Sequence, residues 1–169
     1  DAERFYEALP KRLERFNLQV AEDKTQCMTF SRFRTGLKNR FTFLSFEFYW
    51  ELDSKGKARV FRRTAAKKQR STKIALSEFI KKSRHMRTPL LLDKLTQKLR
   101  GHYNYFGAVG NFSSITMVYD HVVEMLYKWL NRRSNRKSLN WDKLKRLIAY
   151  RELAKPWCTA KNGTSGLKW

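Results

Sequence analysis

Basic and aromatic side chains fill most positions between Gln97 and Gly107, where the sequence reads QKLRGHYNYFG. Aromatic rings can stack on bases or sugars, and lysine and arginine can contact phosphates, so this mixture is typical of nucleic-acid binding. Helical spacing divides the segment, because Leu99, Tyr103 and Phe106 share one face. We expect that face to pack into a core.

The other face of this segment supplies candidates for nucleic-acid contact. These are Lys98, Arg100, His102 and Tyr105, which cannot all join the apolar face. Gly101 within a helical pattern costs about 1 kcal/mol relative to alanine. A glycine at this position therefore favours a close approach of backbone or ligand.

A second basic cluster lies between two tryptophans, Trp129 and Trp141. Both tryptophans fit apolar helical stripes and are predicted to be core anchors. Arginine forks suit phosphate in a bidentate manner, so the cluster is predicted to contact phosphates. The candidates are Arg132, Arg133, Arg136 and Lys137, with Lys143 in the helix that follows.

A third basic stretch runs from Lys55 to Lys73, with nine lysines and arginines and no acid. Such a run can be a solvated charged surface that needs no ligand. It can also be a strand-to-helix connection that lies on phosphates, and the net charge favours this second interpretation. The candidate contacts are Arg62, Arg63, Lys67, Lys68, Arg70 and Lys73.

The charge balance of the whole chain indicates a polyanionic partner. Its 169 residues include 37 Lys and Arg against 15 Asp and Glu, a net charge of +22, and 41% of them are apolar. A basic chain that can bury a core is typical of nucleic-acid binding. Since no apolar run of about 18 residues and no signal-peptide pattern is present, we expect no membrane partner and a cytoplasmic or otherwise intracellular location.

Catalytic and metal-binding patterns are sparse. Polymerase or nuclease chemistry needs carboxylates that converge on magnesium, whereas Glu22-Asp23 is the only adjacent pair of acids. Cys27 and Cys158 lie far apart, so neither a disulfide nor a metal site is predicted. Lys24 is the one candidate for proton transfer, because a lysine can protonate a leaving phosphate. It also fits an ordinary turn lysine.

The elements that position these residues predict an α+β fold. Residues 2–17 have apolar side chains at helical spacing. Short strand-like runs follow at 18–20 and 26–30. The aromatic segment 40–52 predicts a buried strand or hairpin arm, and after a turn a return strand is expected at 58–61.

The chain beyond residue 70 is predicted to be helical up to a tail without periodicity. Ser71 or Thr72 is expected to cap one helix, and Thr88-Pro89 to begin the next. Ser113 or Ser114 is expected to cap a third helix. A fourth begins near Trp141.

Several of these stretches together resemble the group II intron reverse transcriptases, which also serve as maturases. KLRGHYNYFG and the later WLNRRSNRKSLNW resemble the maturase-specific thumb region of that family. LQVAEDKTQCMTFSRF resembles the palm segment after the catalytic Tyr-Ala-Asp-Asp turn. RFTFLSFEFYW resembles the strand with the family's Phe-Leu-Gly-Phe signature.

The resemblance implies a palm remnant, made of a helix plus short antiparallel strands, followed by an all-α thumb helical bundle. Residues 1–66 would be the C-terminal part of the palm, 67–154 the thumb or X domain, and 155–169 a loosely held tail. The fingers and the catalytic aspartates would precede this chain. The chain alone is therefore expected to be inactive and to hold no cofactor, with Mg²⁺ implied for the parent polymerase.

The resemblance also implies roles for particular residues. Lys24 would match the palm lysine near the departing pyrophosphate. The strand that contains Phe43, Leu44, Ser45 and Phe46 would lie near the primer end. Ser45 stands where the family usually has glycine, which weakens the case for a working primer site if the primer backbone approaches there.

The helices would hold a template–primer RNA–DNA duplex and intron RNA, and would assist RNA-directed DNA synthesis and intron splicing in the parent. Two other functions remain open. One is a stand-alone basic RNA-binding module with no polymerase partner, and the other is a structural protein with a basic surface. Salt-dependent binding to structured RNA would exclude the last of these.

Overall fold

The computed structural model of the protein describes residues 1–33, 40–133 and 139–158. Within these ranges five α-helices accompany a three-stranded antiparallel sheet of order β1-β2-β3, which confirms the α+β class. The elements in chain order are α1 (Ala2–Glu14), a 3-10 turn (Glu22–Lys24), β1 (Arg40–Phe43), β2 (Phe46–Leu52), β3 (Ala58–Thr64), α2 (Ala66–Ser83), α3 (Thr88–Phe106), α4 (Phe112–Leu130) and α5 (Trp141–Tyr150).

The chain divides into two compact units. The first comprises residues 1–40 and 50–59. The second comprises residues 41–49 and the described residues from 60 onward. Strands β2 and β3 each contribute residues to both units.

The first unit is held by side-chain contacts at its surface. Helix α1 forms as predicted and continues through Pro10, but none of its residues is buried. The hydroxyl of Tyr6 donates to the carbonyl oxygen of Thr25 at 3.2 Å. The ring of Phe30 lies 5.5 Å from that of Trp50.

The strands expected at 18–20 and 26–30 are wrong, because neither segment is in a strand. A strand needs a hydrogen-bonded neighbour, and the sheet that the described residues form contains only β1, β2 and β3. The aromatic segment 40–52 was expected to be a single buried strand or a single hairpin arm. It is instead divided into β1 and β2 by a turn at Leu44 and Ser45. The return strand is confirmed, as β3.

The second unit has an apolar core formed by the four helices α2 to α5. Helix α3 contributes the largest share, because Leu91, Leu92, Leu95, Leu99 and Tyr103 have no exposed surface. Their spacing places them on one side of the helix, as the apolar pattern predicted. Facing helices supply further buried residues: Ile80, Ile115, Val118, Val122, Leu126 and Leu144.

The helix starts were predicted with mixed success. Helix α3 begins at Thr88-Pro89 as expected, but α2 begins at Ala66 rather than at Ser71 or Thr72, and α4 begins at Phe112 rather than at Ser113 or Ser114. Contacts distant in sequence set the start of α2. The backbone N–H of Ala65 donates to the carbonyl oxygen of Ser45 at 2.9 Å.

Asn111 joins three elements of the second unit. Its Oδ1 accepts from the backbone N–H of Thr64 at 2.7 Å, and its Nδ2 donates to Thr64 Oγ1 and to the carbonyl oxygen of Phe106, each at 2.8 Å. Asn111 is 1% exposed and Thr64 3%. The end of β3, the end of α3 and the start of α4 are therefore tied together through one amide.

The segment after α5 packs back onto the helices. Leu153 and Ala154 are buried, and the ring of Trp157 meets Tyr103 edge-on at 5.0 Å. A Cβ on Gly107 would lie 2.3 Å from the carbonyl oxygen of Tyr103 and 2.6 Å from that of Trp157. A side chain at this position would therefore displace backbone.

None of the helices in the described ranges is long and apolar enough to cross a membrane.

Candidate nucleic-acid interface

The segment from Gln97 to Gly107 forms the last turns of α3 and the residue that follows. Its predicted core face is confirmed, since Leu99 and Tyr103 are 0% exposed and Phe106 is 4% exposed. Gly101 was expected to allow a close approach of backbone or ligand. Among the described residues, no atom outside its own helical turn lies within 4 Å of the place of a Cβ there, so the backbone alternative is wrong and the ligand alternative stays a prediction.

The two cations of this segment, Lys98 and Arg100, are exposed. Lys98 of α3 extends toward α2, with its Nζ 4.7 Å from the centroid of the Phe79 ring. This cation–π contact orients the ammonium group while leaving it in solvent. The predicted phosphate contacts of both residues stay predictions.

His102 lies in a different environment from these cations. It is half-buried, and its ring is 4.7 Å from that of Phe106. Its Nε2 is buried and has no hydrogen-bond partner among the described residues. Burial and then the nearby charge of Lys68 lower the pKa of His102. The ring is therefore neutral at neutral pH, which removes charge attraction from its predicted contact with RNA.

Tyr105 holds a β-hairpin. The residue is 54% exposed, but its hydroxyl donates to the carbonyl oxygen of Leu44 at 3.0 Å and its ring stacks on Phe46 at 6.0 Å. Leu44 and Ser45 form the turn between β1 and β2, with φ of +47° and +65°. The expectation of a continuous strand from Phe43 to Phe46 is therefore wrong, because its middle two residues are a left-handed turn.

The basic stretch is divided at the end of β3. Arg62 donates through Nε to the carbonyl oxygen of Val109 at 3.3 Å. Arg63 pairs through Nε with a carboxylate oxygen of Glu47, and its guanidinium lies 5.1 Å from the Tyr49 ring. These two arginines are thus engaged by the protein itself.

The basic residues at the start of α2 have a different setting. Lys67, Lys68 and Arg70 are exposed, and Lys73 is partly exposed. Arg70 and Lys73 line an open groove of about 420 Å³ along α2 that also includes His121. They are accessible to a polyanion, so their predicted contacts fit the structure better than those of the two β3 arginines.

The second basic cluster is only partly described, since Arg136 and Lys137 lie outside the described residues. Arg133 donates through Nη1 to Thr88 Oγ1 at 2.9 Å and through Nη2 to the carbonyl oxygen of Met86 at 2.8 Å. It therefore fixes the connection before α3. Lys143 is exposed in the first turn of α5.

Neither tryptophan of this region is a fully buried core anchor. Trp141 is 43% exposed and stacks flat on Tyr127, with centroids 4.2 Å apart. Trp129 is partly buried beside the core. Four cations lie around the Trp129 ring: Lys81, Arg84, Lys128 and Arg132.

Sequence reasoning selected only Arg132 of these four. The helical spacing of Lys81 and Arg84, three residues apart, and of Lys128 and Arg132, four apart, was the signal that could have identified the other three. What the sequence alone could not show is that both pairs meet at one ring.

Lys24 ends the 3-10 turn of the first unit and is exposed. Its predicted role in proton transfer stays a prediction. Among the described residues, no three His, Cys, Asp or Glu side chains converge in a way that could hold a metal ion. No step through the Mg²⁺ implied for the parent polymerase can therefore be assigned to side chains of these ranges.

Part of the second unit matches a known family. Residues 69–147, from the first turns of α2 into α5, match the model of the group II intron maturase-specific domain. This part of the chain is a maturase-specific domain. It contains the end of α3, the basic groove side of α2 and the Trp129 region, so the maturase-specific domain includes most of the candidate contacts. No curated protein and no solved structure matches the chain.

Proposed function

We propose that this chain binds RNA through its maturase-specific domain and acts as the C-terminal part of a group II intron reverse transcriptase/maturase. The match over residues 69–147 carries this proposal. In that role the helices hold intron RNA during splicing, and the RNA–DNA template–primer duplex during DNA synthesis.

Charge and exposure support RNA as the partner. The chain has an excess of cations that gives +22, and exposed lysines and arginines lie on several helices of the domain. Cations that neutralise phosphates release condensed counterions, so binding of this kind weakens steeply with salt. The groove side of α2, with Arg70 and Lys73, is one of the proposed contacts.

The palm role of residues 1–66 is also a proposal. It rests on the resemblance of LQVAEDKTQCMTFSRF and RFTFLSFEFYW to palm segments, since the family match begins at residue 69. In this proposal Lys24 lies near the departing pyrophosphate, and the turn at Leu44 and Ser45 lies near the primer end. The catalytic aspartates and their Mg²⁺ come from a preceding fingers and palm segment.

The proposal is tested by titrating the chain with a structured group II intron RNA at several salt concentrations. We expect log affinity to fall linearly with log salt, with a slope of about −0.7 to −0.9 per phosphate contacted. An unstructured polyanion such as heparin serves as the competitor. Affinity that stays constant across the salt series would contradict RNA binding.

A second experiment tests the polymerase part of the proposal. The chain is incubated with a primed RNA template, Mg²⁺ and deoxynucleotides. We expect the primer–template to be bound and not extended, because the carboxylates that hold the metal ions are proposed to lie elsewhere. Primer extension by this chain alone would refute that assignment.

A further inference from the structure

Four cations converge on the ring of Trp129 in the maturase-specific domain. The ring centroid lies 5.6 Å from Nζ of Lys81 and 5.7 Å from Nζ of Lys128, and 5.5 Å and 5.2 Å from Cζ of Arg84 and Arg132. We call these five residues the Trp129 cluster. Lys81 lies in the last turn of α2 and Arg84 directly follows that helix, whereas Lys128 lies in the last turn of α4 and Arg132 is two residues beyond its end.

The cations of the Trp129 cluster are attracted to the ring and to the two helix ends, but they have no acidic partner in the part of the chain that the structure describes. Within the described ranges, none of its cations lies within 4.0 Å of a carboxylate oxygen. Among the described residues, one side-chain hydrogen bond of these cations is present, from Arg84 Nε to Nε2 of His85 at 3.4 Å. Cations near the face of tryptophan and near helix C-termini are favoured.

Mutual repulsion opposes this arrangement. Four like charges around one ring repel each other, and the repulsion is relieved when an anion enters. Lys81, Lys128 and Arg132 are exposed and Arg84 is partly exposed, so their charged groups can be reached from solvent. The ring itself is partly buried against the core and serves as a fixed platform for the cations.

We propose that the Trp129 cluster is a binding site for backbone phosphates of RNA. The proposal rests on the RNA-binding function argued above and assigns part of it to a particular surface. Two arginines provide forks that match phosphate oxygens, and two lysines provide point charges beside them. Because only phosphates are contacted, the site reads no base sequence.

The same geometry separates this site from Arg133, which is next to Arg132 in the chain. Arg133 uses two of its nitrogens on Thr88 and on the carbonyl oxygen of Met86. Arg132 faces the ring of Trp129 instead. These neighbouring arginines therefore differ in function: Arg133 stabilises the α2–α3 connection, and Arg132 contacts phosphate.

The test compares two triple variants with the same change in net charge. The first carries Lys81→Gln, Arg84→Gln and Lys128→Gln. The control carries Lys94→Gln, Lys145→Gln and Arg146→Gln, which replaces exposed cations of α3 and α5 outside the cluster. Binding to a structured intron RNA is measured across a salt series, and urea unfolding checks that both variants remain folded.

We expect the cluster variant to bind RNA at least about tenfold more weakly and to reduce the salt slope by about two to three, while the control changes affinity less than about threefold. Equal losses in the two variants would mean that only net charge matters, and would overturn the assignment. If the unaltered chain shows no salt-dependent RNA binding, the proposed function itself fails. Unaltered binding by the cluster variant refutes this site alone.

A measurement on the unaltered chain avoids dependence on the folding of a variant. Lysines are acetylated with and without the RNA, and each site is quantified by mass spectrometry. We expect protection of Lys81 and Lys128 and not of Lys94 and Lys145. Equal protection of all four overturns the proposal, as does protection of the cluster by phosphatidylserine vesicles but not by RNA.

Discussion

Replacing Asn111 with alanine should destabilise the second unit severely. The amide makes three hydrogen bonds of 2.7, 2.8 and 2.8 Å to Thr64 and Phe106. Each neutral hydrogen bond contributes about 1 kcal/mol net, and a buried partner left unsatisfied costs about 1 to 3 kcal/mol. We therefore expect a loss of about 3 to 4 kcal/mol in the free energy of unfolding.

The assay is urea unfolding followed by far-UV circular dichroism. With a slope of about 2 kcal/mol per molar urea, this loss lowers the midpoint by about 1.5 to 2 M. Asn104→Ala is the matched control, because Asn104 is an exposed residue within α3. Alanine favours helix at such a position, so the control should be unchanged or slightly more stable.

The reasoning can be tested further with Thr64→Val, which removes only the hydroxyl that accepts from Asn111 Nδ2. We expect about 1 kcal/mol from this change and clear non-additivity when it is combined with Asn111→Ala, since both act on one hydrogen bond. An Asn111→Ala midpoint within about 0.3 M of the unaltered chain would refute the role of this amide.

Three other predictions concern backbone strain and protonation. Ser45→Gly should stabilise the chain by about 1 kcal/mol, because φ is +65° and glycine adopts this region freely; a lower melting temperature would contradict it. Gly107→Ala should destabilise the chain, because its Cβ would lie 2.3 Å from the carbonyl oxygen of Tyr103. Gly101→Ala, in open space, should instead stabilise it by about 1 kcal/mol. Similar urea midpoints for the two variants would contradict the crowding at Gly107. Burial keeps the pKa of His102 below its ordinary value of 6.5. Below pH 6.5 the unfolded chain therefore binds a proton at this residue more readily than the folded chain does, so the folded state loses stability as the pH falls. Above pH 6.5 the histidine is neutral in both states and this loss is absent. His102→Gln should therefore show a smaller fall in urea midpoint than the unaltered chain between about pH 7.5 and about pH 5.5, and equal falls would count against it.

The core of this fold was largely predictable from helical spacing. Leu99, Tyr103 and Phe106 were assigned to one buried face from their positions alone, because a helix that covers a core repeats apolar residues every three or four positions. The β1–β2 hairpin was not predicted, because segment 40–52 was expected to be one strand or one hairpin arm. Its turn at Leu44 and Ser45 has no glycine or asparagine to indicate left-handed backbone.

The candidate contacts were harder to predict, because exposure depends on partners distant in sequence. Arg133 and Arg132 are equivalent in a sequence, and only the fold places Thr88 beside the first and Trp129 beside the second. The start of α2 was mistaken for the same reason. It is fixed by contacts to Ser45 and Asn111 rather than by a local cap.

The packing of Trp157 has a consequence for where this module can be cut. Similarity to the maturase-specific family ends at residue 147, yet burial continues through Leu153 and Ala154, and the ring of Trp157 covers Tyr103. A chain that ended at residue 147 would lose the last turn of α5 and expose the C-terminal end of α3. The segment that must be present for cooperative folding is therefore longer than the segment by which the family is recognised.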